Sequence, residues 1–329
     1  MHVRASALPS LGFLSGLRVE SAVATGPLRW IRICGRPGGP QAELLHEALA
    51  SGRTSVTEVS EGGAVDWVRV DHNGHVPLLL LDGEHVIGAK QNRMFNASFL
   101  VAPGQTVDLP VSCVERGRWA EGPSAFEATD ATVASATRAA KLHMLKASLQ
   151  SGRGHHCDQY EVWREVEAFL GRADTRSPTG AYHHGFQKRQ AEADHSLALL
   201  EPKPEQVGLA AVRRGAVLVS ADVFGSASLY DRGWKKVARG LLVEVYRGGS
   251  APDEQTAIAA VEEALSALAA VDPTKVVAPG MGQTVYASAG AVTFSGIADG
   301  LDFYHGVCVP TTVDPTGSKR VSPLSTSAR

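Results

Sequence analysis

The segment Leu78–Trp119 reads LLLLDGEHVIGAKQNRMFNASFLVAPGQTVDLPVSCVERGRW, and it decides how the fold is interpreted. Strand-like apolar runs alternate in it with an unusual density of polar side chains. Asp82-Gly83 has the composition of a hairpin turn, because Gly tolerates the positive φ that tight turns require. Pro110 predicts that its strand is an edge strand or begins at a bulge, since Pro cannot donate to a strand ladder. The pattern predicts polar groups held on a sheet.

The remainder of the chain predicts an α+β protein with a β-rich N-terminal part, a helical middle and a mixed strand and helix C-terminal part. Thr129–Leu149 is Ala-rich with leucines at helical spacing, and Leu229–Tyr246 is a helix that Gly233 and Gly240 should weaken. We place the β-rich part at residues 1–125, the helical part at 126–205, the closing α/β part at 206–310 and a disordered tail at 311–329.

Bulk properties narrow the class of partner. The chain has 329 residues, a net charge of −2 and four well-separated cysteines. This balance gives no electrostatic reason to expect nucleic acid or a membrane surface, and we expect a small-molecule ligand instead. The N-terminus lacks a continuous apolar signal core, and no apolar run is long enough to span a membrane, so we expect a cytoplasmic protein without disulfides. A homo-oligomer remains open.

Side chains suited to anion and amide recognition follow Ala89. Lysine and arginine suit phosphate or carboxylate, and glutamine and asparagine suit a base, amide or sugar edge. An aspartate at the end of a later apolar strand is a second candidate. The candidate ligand-binding residues are Lys90, Gln91, Asn92, Arg93, Asn96, Arg116, Arg118, Trp119 and Asp222. The alternative interpretation is a structural polar network.

Catalytic chemistry has fewer signals. Asp82, Glu84 and Glu115 are the candidate acid–base groups, because burial can raise the pKa of a carboxyl group into a useful range. Cys113 is either a nucleophile or, more simply, a small buried hydrophobe.

The histidines give no clear metal site. His155-His156 and His183-His184 contain ligand atoms suited to zinc, but adjacent side chains rarely bind one ion, so we assign no metal ligand. Asp158 is interpreted as a helix N-cap. Asp302 and His305 form an acid–base pair only if the fold brings them together. No cofactor is indicated.

Two motifs carry a resemblance to a known family. DGEHVIGAKQNRMFNAS at Asp82–Ser98 and PVSCVERGRW at Pro110–Trp119 resemble a bacterial domain family associated with ADP-ribosylglycohydrolases and rhodanese-like phosphatases. Weaker support comes from Asp158–Trp163 and Ser220–Gly225, and the resemblance extends from about Leu17 to Pro310. It implies a link to NAD and ADP-ribose metabolism and a ligand carrying pyrophosphate, ribose or a base. It implies no catalytic residue, because the family's function is not established.

Three functional hypotheses follow. The first is a protein that binds, and if catalytic also processes, a nucleotide-like or ADP-ribose-like anion. The second is a non-catalytic sensor or interaction scaffold, and the third is a metal-dependent enzyme on a β-barrel-like scaffold. The chain contains no Walker loop, no Gly-x-Ser-x-Gly elbow and no His-Glu-x-x-His motif, which disfavours a P-loop enzyme, an α/β-hydrolase and a zincin. Whether the protein is an enzyme stays open at this stage.

Overall fold

The computed structural model describes residues 10–35, 38–119, 125–188, 190–243 and 249–311 of the chain. Over these ranges the protein is a mixed α+β fold, which confirms the predicted class. Apart from Thr311, the predicted disordered tail lies outside the described residues. None of the helices in the described ranges is long and apolar enough to cross a membrane.

Strands form most of the first and last thirds of the chain. They are β1 (Arg18–Thr25), β2 (Leu28–Cys34), β3 (Glu43–Leu44), β4 (Thr54–Thr57), β5 (Trp67–His72), β6 (Leu78–Leu80), β7 (Glu84–Gly88), β8 (Arg93–Phe95), β9 (Phe99–Val101), β10 (Gln105–Cys113), β11 (Phe126–Thr132), β12 (Gln206–Arg213), β13 (Val217–Phe224), β14 (Thr274–Val277), β15 (Gln283–Ala289), β16 (Val292–Asp299) and β17 (Asp302–Pro310).

Helices dominate the middle of the chain and recur near its end. They are α1 (Leu45–Ala50), α2 (Ser135–Gln150), α3 (Gln159–Arg172), α4 (His184–Gln187), α5 (Gln190–Ala198), α6 (Ala227–Leu242) and α7 (Glu254–Ala269), with a 3₁₀ helix at Leu11–Gly16. Asp158 caps α3 by accepting hydrogen bonds from the backbone N–H groups of Tyr160 and Glu161, which confirms the predicted cap.

Three sheets contain all of these strands. The largest is an eight-stranded antiparallel sheet in the order β1-β2-β12-β13-β17-β16-β15-β14, so the first two strands of the chain join the C-terminal ones. A six-stranded sheet has the order β11-β7-β8-β10-β5-β4, and a three-stranded sheet has the order β3-β6-β9. The segment Leu78–Trp119 supplies strands to both smaller sheets.

Two local predictions in that segment are corrected. Asp82-Gly83 is a turn with a positive φ at Gly83, but β6 and β7 on either side of it pair with different strands and do not form a hairpin. Pro110 does not mark an edge strand, because β10 lies inside the six-stranded sheet. It lies where β10 stops pairing with β5 and begins pairing with β8, so its missing N–H falls at a change of partner.

Helices cover both faces of the large sheet. On one face, Val261 and Leu265 of α7 pack against Ile31, while on the other Trp234 and Leu241 of α6 join a core cluster. Alternate strand residues point to opposite faces, so neighbouring positions of β2 serve both cores. The large sheet therefore separates the α7 core from the α6 core.

The two glycines of α6 permit close packing instead of weakening the helix. A Cβ at Gly240 would lie 2.4 Å from the Thr132 hydroxyl oxygen, and one at Gly233 would lie 2.9 Å from the Phe224 ring. Helix α6 thus packs closely against β11 and β13 because these positions have no side chain.

Helix α2 lies between the large sheet and the smaller ones, and its buried face carries charge. Leu142 and Leu145 pack in a core cluster with Phe95 and Val307, and they share their helix face with Arg138 and Lys141, which are fully buried. A buried charge is tolerated only with partners of opposite sign, so the two cations require carboxylates in the facing layers.

The large sheet provides one of those carboxylates, and the turn after β6 provides the other. Arg138 donates to both oxygens of Asp222 on β13, at 2.8 Å from Nη1 to Oδ2 and 2.6 Å from Nη2 to Oδ1. Its Nε lies 3.3 Å from Oδ1 of Asp82, and Lys141 Nζ lies 2.5 Å from Oδ2 of the same side chain. We call these four residues the ion lock. It has two cations and two carboxylates, and it joins α2 to both layers.

Ion pairing keeps Arg138 and Asp222 charged although both side chains are buried. Burial alone would raise the pKa of Asp222, but the charge and hydrogen bonds of Arg138, with those of His305, outweigh it and lower that pKa. Burial likewise opposes the charge of Arg138, and the two carboxylates raise its pKa above the usual value. Arg138 and Asp222 therefore stabilise each other's charged forms.

Asp222→Asn should destabilise the protein by about 3–5 kcal/mol, because it removes the charge that compensates a fully buried guanidinium. Urea denaturation at pH 7 measures the change. The matched control is Asp108→Asn, which breaks an ion pair with Arg69 in which both side chains are more than 40% exposed, and it should change stability far less. Equal effects of the two substitutions would contradict the lock.

Candidate functional site

The predicted acid–base residues of the first motif lie in the interior. Asp82 and Glu84 are each 1% exposed. Asp82 belongs to the ion lock, and Glu84 accepts from Lys236 of α6 through one oxygen and from the Leu81 backbone N–H, at 3.1 Å, through the other. Neither residue lines either of the two cavities characterised below. Their acid–base role stays a prediction.

Asn96 and Asp222 also lie in the buried network. The Asn96 carbonyl accepts from Lys141, and its side chain accepts from Ser112 at 2.7 Å and donates to the His155 carbonyl at 3.0 Å. Its hydrogen-bonding groups are thereby used within the protein. Asp222 is one of the two carboxylates of the ion lock, so both residues stay predictions as ligand-binding groups.

A hydroxyl, an imidazole and the Asp222 carboxylate of the ion lock form a hydrogen-bonded row. Ser98 Oγ is 2.8 Å from Nδ1 of His305, whose Nε2 is 3.1 Å from Asp222 Oδ1. The imidazole thus pairs with Asp222 and not with Asp302. All three side chains are at most 3% exposed, and Ser98 Oγ accepts the Asp82 N–H, so the row extends the buried network to β17. Neither cavity described below opens onto it.

A second polar network contains residues from two short segments, QNR (91–93) and ERGR (115–118). Arg93 donates to Gln91 Oε1 at 3.0 Å and to the Ala64 carbonyl at 3.3 Å, and Gln91 Nε2 donates to the Glu115 carbonyl at 3.1 Å. Glu115 accepts from the Thr179 hydroxyl at 2.6 Å. These contacts tie the end of β10 to β8 and to the loop before α4.

Arg118 completes this network from the loop after β10. Its guanidinium donates to Glu115 Oε2 at 2.9 Å, to the Ala89 and Gly88 carbonyls at 2.7 and 3.1 Å, and to Asn92 Oδ1 at 2.9 Å. The sequence predicts an anion ligand at Arg118. The structure shows instead that its donors meet a carboxylate, an amide and two carbonyls of the same protein.

Among the predicted ligand-binding residues, Arg116 and Trp119 are exposed and Lys90 is half-buried. Trp119 is 49% exposed, and the charged groups of Lys90 and Arg93 each lie 5.8 Å from its ring centroid. Arg116 is exposed and lies 5.1 Å from the ring of Trp163. Both arrangements are cation–π contacts at or near the surface, with modest energies.

Cys113 and the histidine pairs have local partners. Cys113 is fully buried. Its backbone N–H donates to Oε1 of Gln159, and its carbonyl accepts from Nε2 of the same side chain. Burial lowers the pKa of the Arg93 guanidinium nearby, and Cys113 and Glu58 oppose this shift. His155 contacts Thr284. In the described part of the chain, no three His, Cys, Asp or Glu side chains are grouped to hold a metal ion.

A cavity of about 320 Å³ opens beside β7, between β11, the α4–α5 segment and the end of α6. We call it the His85 cavity, and its polar lining consists of His85, Thr129, Asp130, His183, Gln187, Gln190 and Arg239. Its volume lies at the lower end of the range for small-molecule sites. The first motif reaches this cavity through His85, the residue after Glu84.

His85 is the least satisfied polar side chain of this lining. It is 1% exposed, and both ring nitrogens lack a hydrogen-bond partner among the described residues. Burial lowers the pKa of His85 to about 3; Lys236 and His183 add to this shift, and the Ala131 carbonyl opposes it. The ring is therefore neutral at pH 7. Neither nitrogen has a partner within hydrogen-bonding geometry in the described part of the chain, and the Ala131 carbonyl is near enough to the ring to act on its pKa.

Aromatic rings hold the imidazole in place. The Phe186 ring is stacked 6.0 Å from His85 at an interplanar angle of 19°, and the Tyr182 ring meets it edge-on at 6.0 Å. An unpaired buried polar group costs free energy, so the two nitrogens favour a bound water, ion or ligand beside the ring.

Arg239 contributes the positive charge of the cavity. Its terminal nitrogens contact Asp130 and Asp194, whose side chains are more than half exposed, while its Nε is buried without a partner in the described ranges. Burial lowers the pKa of Arg239, but an arginine stays protonated at pH 7. Two groups with unused hydrogen-bonding capacity thus line the same cavity.

A second cavity, of about 480 Å³, is larger but chemically poorer. Small residues from α2, α7 and the β12–β13 and β15–β16 turns line it, with Arg213 and Glu263 as its charged groups. None of the unpartnered buried polar side chains among the described residues belongs to its lining. We therefore take the His85 cavity as the candidate site.

Sequence reasoning missed His85, His183 as a cavity residue, and Arg239. His85 looked like an ordinary strand residue beside two acids, and no local pattern shows that its nitrogens stay unpaired. Arg138 and Lys141 were also missed, although a signal exists. They share the helical face of Leu142 and Leu145, which places charge on the apolar side of α2.

Glu115→Gln should make the free energy of unfolding depend less on pH in the acidic range. Burial raises the pKa of Glu115, but hydrogen bonds from Arg118 and Thr179 outweigh burial and leave that pKa below its usual value. The carboxylate's contribution is therefore present above the unfolded pKa of about 4.3 and is lost as the pH falls through the lower folded value. Urea denaturation between about pH 3 and 7 should show wild type losing more stability than the variant.

At pH 7 the same substitution should cost about 1–3 kcal/mol. Glu161→Gln, at an exposed pair with Arg164, provides the matched control and should follow the wild-type curve. Parallel acid limbs for wild type and Glu115→Gln would rule out this role for the carboxylate.

Comparison with known proteins identifies a family. No curated protein and no solved structure matches the chain. A family model described as "ARPP-1: ARG and Rhodanese-Phosphatase-superfamily-associated Protein domain" matches residues 16–309, which include both motifs, the ion lock and the His85 cavity. The resemblance stated from the motifs is thus confirmed, and the chain belongs to the ARPP-1 family.

Proposed function

We propose that this protein binds a small ribose-containing anion, of the kind found in nucleotides and ADP-ribose, in the His85 cavity. One observation carries the proposal. A fully buried imidazole with two unpartnered nitrogens lines the same cavity as an arginine with an unpartnered Nε. The family's association with ADP-ribosylglycohydrolases supports the ligand class and gives no further detail.

A neutral imidazole suits a sugar hydroxyl. His85 keeps one N–H donor and one lone pair at pH 7, because its pKa is about 3. A hydroxyl group both donates and accepts, so a ribose hydroxyl can pair with either ring nitrogen, with the N–H or with the lone pair. A ligand with only acceptor oxygens would leave the lone pair of His85 unpaired. This preference distinguishes a ribose from a simple anion.

Arg239 suits the anionic end of such a ligand. Its Nε is free to donate, and its exposed carboxylate partners can move into solvent when a phosphate takes their place. Arginine binds phosphate through parallel N–H donors, which gives direction as well as attraction. The cavity of about 320 Å³ is sized for a sugar phosphate or a portion of a larger nucleotide.

A scaffold function is the second candidate, and the QNR and ERGR network favours it. Gln91, Arg93, Glu115 and Arg118 direct their hydrogen bonds to the protein itself. Such a network locks layers together, as the scaffold hypothesis expects. It also leaves the nearby cavity available, so the two roles can be tested at different residues. Alanine substitutions at Gln91 and Arg93, whose hydrogen bonds lie outside the cavity lining, should lower the melting temperature, and those in the cavity should lower affinity.

His85→Phe should abolish binding without destabilising the protein. Phenylalanine keeps the ring contacts with Phe186 and Tyr182 but removes both unpaired nitrogens, so the melting temperature should stay equal or rise. Isothermal titration calorimetry with ribose 5-phosphate, AMP and ADP-ribose measures affinity. We expect at least a roughly tenfold loss for any ligand that wild type binds.

Two comparisons sharpen this experiment. His143→Phe changes a half-buried histidine that lies outside the cavity, and it should retain affinity. Arg239→Gln should weaken ribose 5-phosphate by about 10- to 100-fold, and free ribose much less, because only the phosphate needs the charge. Absence of heat with every ligand for wild type, or unchanged affinity in His85→Phe, would refute the proposed function.

A further inference from the structure

We propose that Asn92 is a positioning residue that fixes the tautomer of His183 and thereby makes this ring an N–H donor to the ligand of the His85 cavity. His183 lines the cavity, and Asn92 lies behind it in the second polar network. The inference deepens the proposed function and rests on it, because a donor in the lining matters only when a ligand is bound.

The orientation of the Asn92 amide is set by its neighbours. Its Oδ1 accepts from the Gly88 backbone N–H at 3.0 Å and from Arg118 Nη2 at 2.9 Å. Turning the amide over would place its two N–H bonds against these donors, so the oxygen must face them. The amide nitrogen then lies 3.1 Å from Nδ1 of His183. Since an amide nitrogen only donates, Nδ1 must offer its lone pair.

A neutral ring with a lone pair at Nδ1 carries its hydrogen at Nε2. Burial lowers the pKa of His183, His184 adds to this shift and Arg118 does so weakly, while Glu115 opposes it. The ring therefore stays neutral near pH 7. Its Nε2–H is a donor, and an oxygen of a phosphate or a hydroxyl can accept from it.

Glu115 and Arg118 act on the cavity through this contact. Glu115 holds the Arg118 guanidinium by its Nε at 2.9 Å and accepts the Asn92 backbone N–H at 3.3 Å. Arg118 in turn fixes the Asn92 oxygen. Glu115, a predicted acid–base group, and Arg118, a predicted anion ligand, thus orient an asparagine, which orients a histidine of the lining.

Nitrogen-15 NMR of the ligand-free protein at pH 7, with labelled histidine, tests the tautomer directly. The resonances that disappear in His183→Gln identify the ring. We expect an unprotonated Nδ1 and a protonated Nε2. A protonated Nδ1 or a charged ring in wild type would overturn the inference, and this outcome is independent of whether any ligand binds.

Substitutions at Asn92 test its causal role. Asn92→Asp presents only acceptors, so we expect the hydrogen of His183 to move to Nδ1. Asn73→Asp makes the same change at an exposed residue outside both cavities and should leave His183 unchanged. A wild-type tautomer in Asn92→Asp would contradict the inference, and if that variant does not fold, the wild-type spectrum decides.

Binding supplies the second readout. Asn92→Ala adds no charge that could repel an anion, and it should weaken ribose 5-phosphate by about tenfold because one donor is no longer held in place. Unchanged affinity would show that the donor is not used and would overturn the positioning role. Failure of wild type to bind would instead refute the proposed function and leave the tautomer result standing.

Discussion

The bidentate contact between Arg138 of α2 and Asp222 of β13 is the interaction on which the rest of the structure depends. It places a guanidinium in the interior, where a charge without partners would be prohibitively costly. Asp82 therefore has to approach Arg138 from the opposite layer, and Lys141 has to balance Asp82. This requirement sets α2 at one position between the sheets. A buried pair of this kind fixes how layers are arranged more than it adds net stability.

The lock also determines where the cavity forms. Asp82 ends the segment that leads into β7, so fixing this carboxylate fixes Glu84 and His85 after it. Glu84 is bound to Lys236 of α6, one helical turn before Arg239, and His85 turns to the other side of the strand. The cavity thus lies between an anchored strand and an anchored helix. The His85 ring nitrogens and Arg239 Nε lie between these supports without a hydrogen-bond partner among the described residues.

The sequence predicted the fold class for physical reasons that are local. Apolar alternation, turn residues and the Asp158 cap determine structure within a few residues, so each can be recognised from the sequence. The prediction failed where distant segments decide. Asp82-Gly83 is a turn, but the pairing of β6 with β9 removed the hairpin. The sequence indicated that the QNR and ERGR residues are polar groups held near strands, yet only the fold shows that their partners are one another and that His85 and Arg239 line a cavity.

The most direct test of the central claim is a crystal structure of the protein with ribose 5-phosphate. We predict density in the His85 cavity, with a ribose hydroxyl within hydrogen-bonding distance of a His85 ring nitrogen and the phosphate beside Arg239 Nε. The QNR and ERGR side chains should keep their contacts with one another. An empty cavity at saturating ligand, or a ligand bound instead at Lys90 and Trp119, would contradict the account.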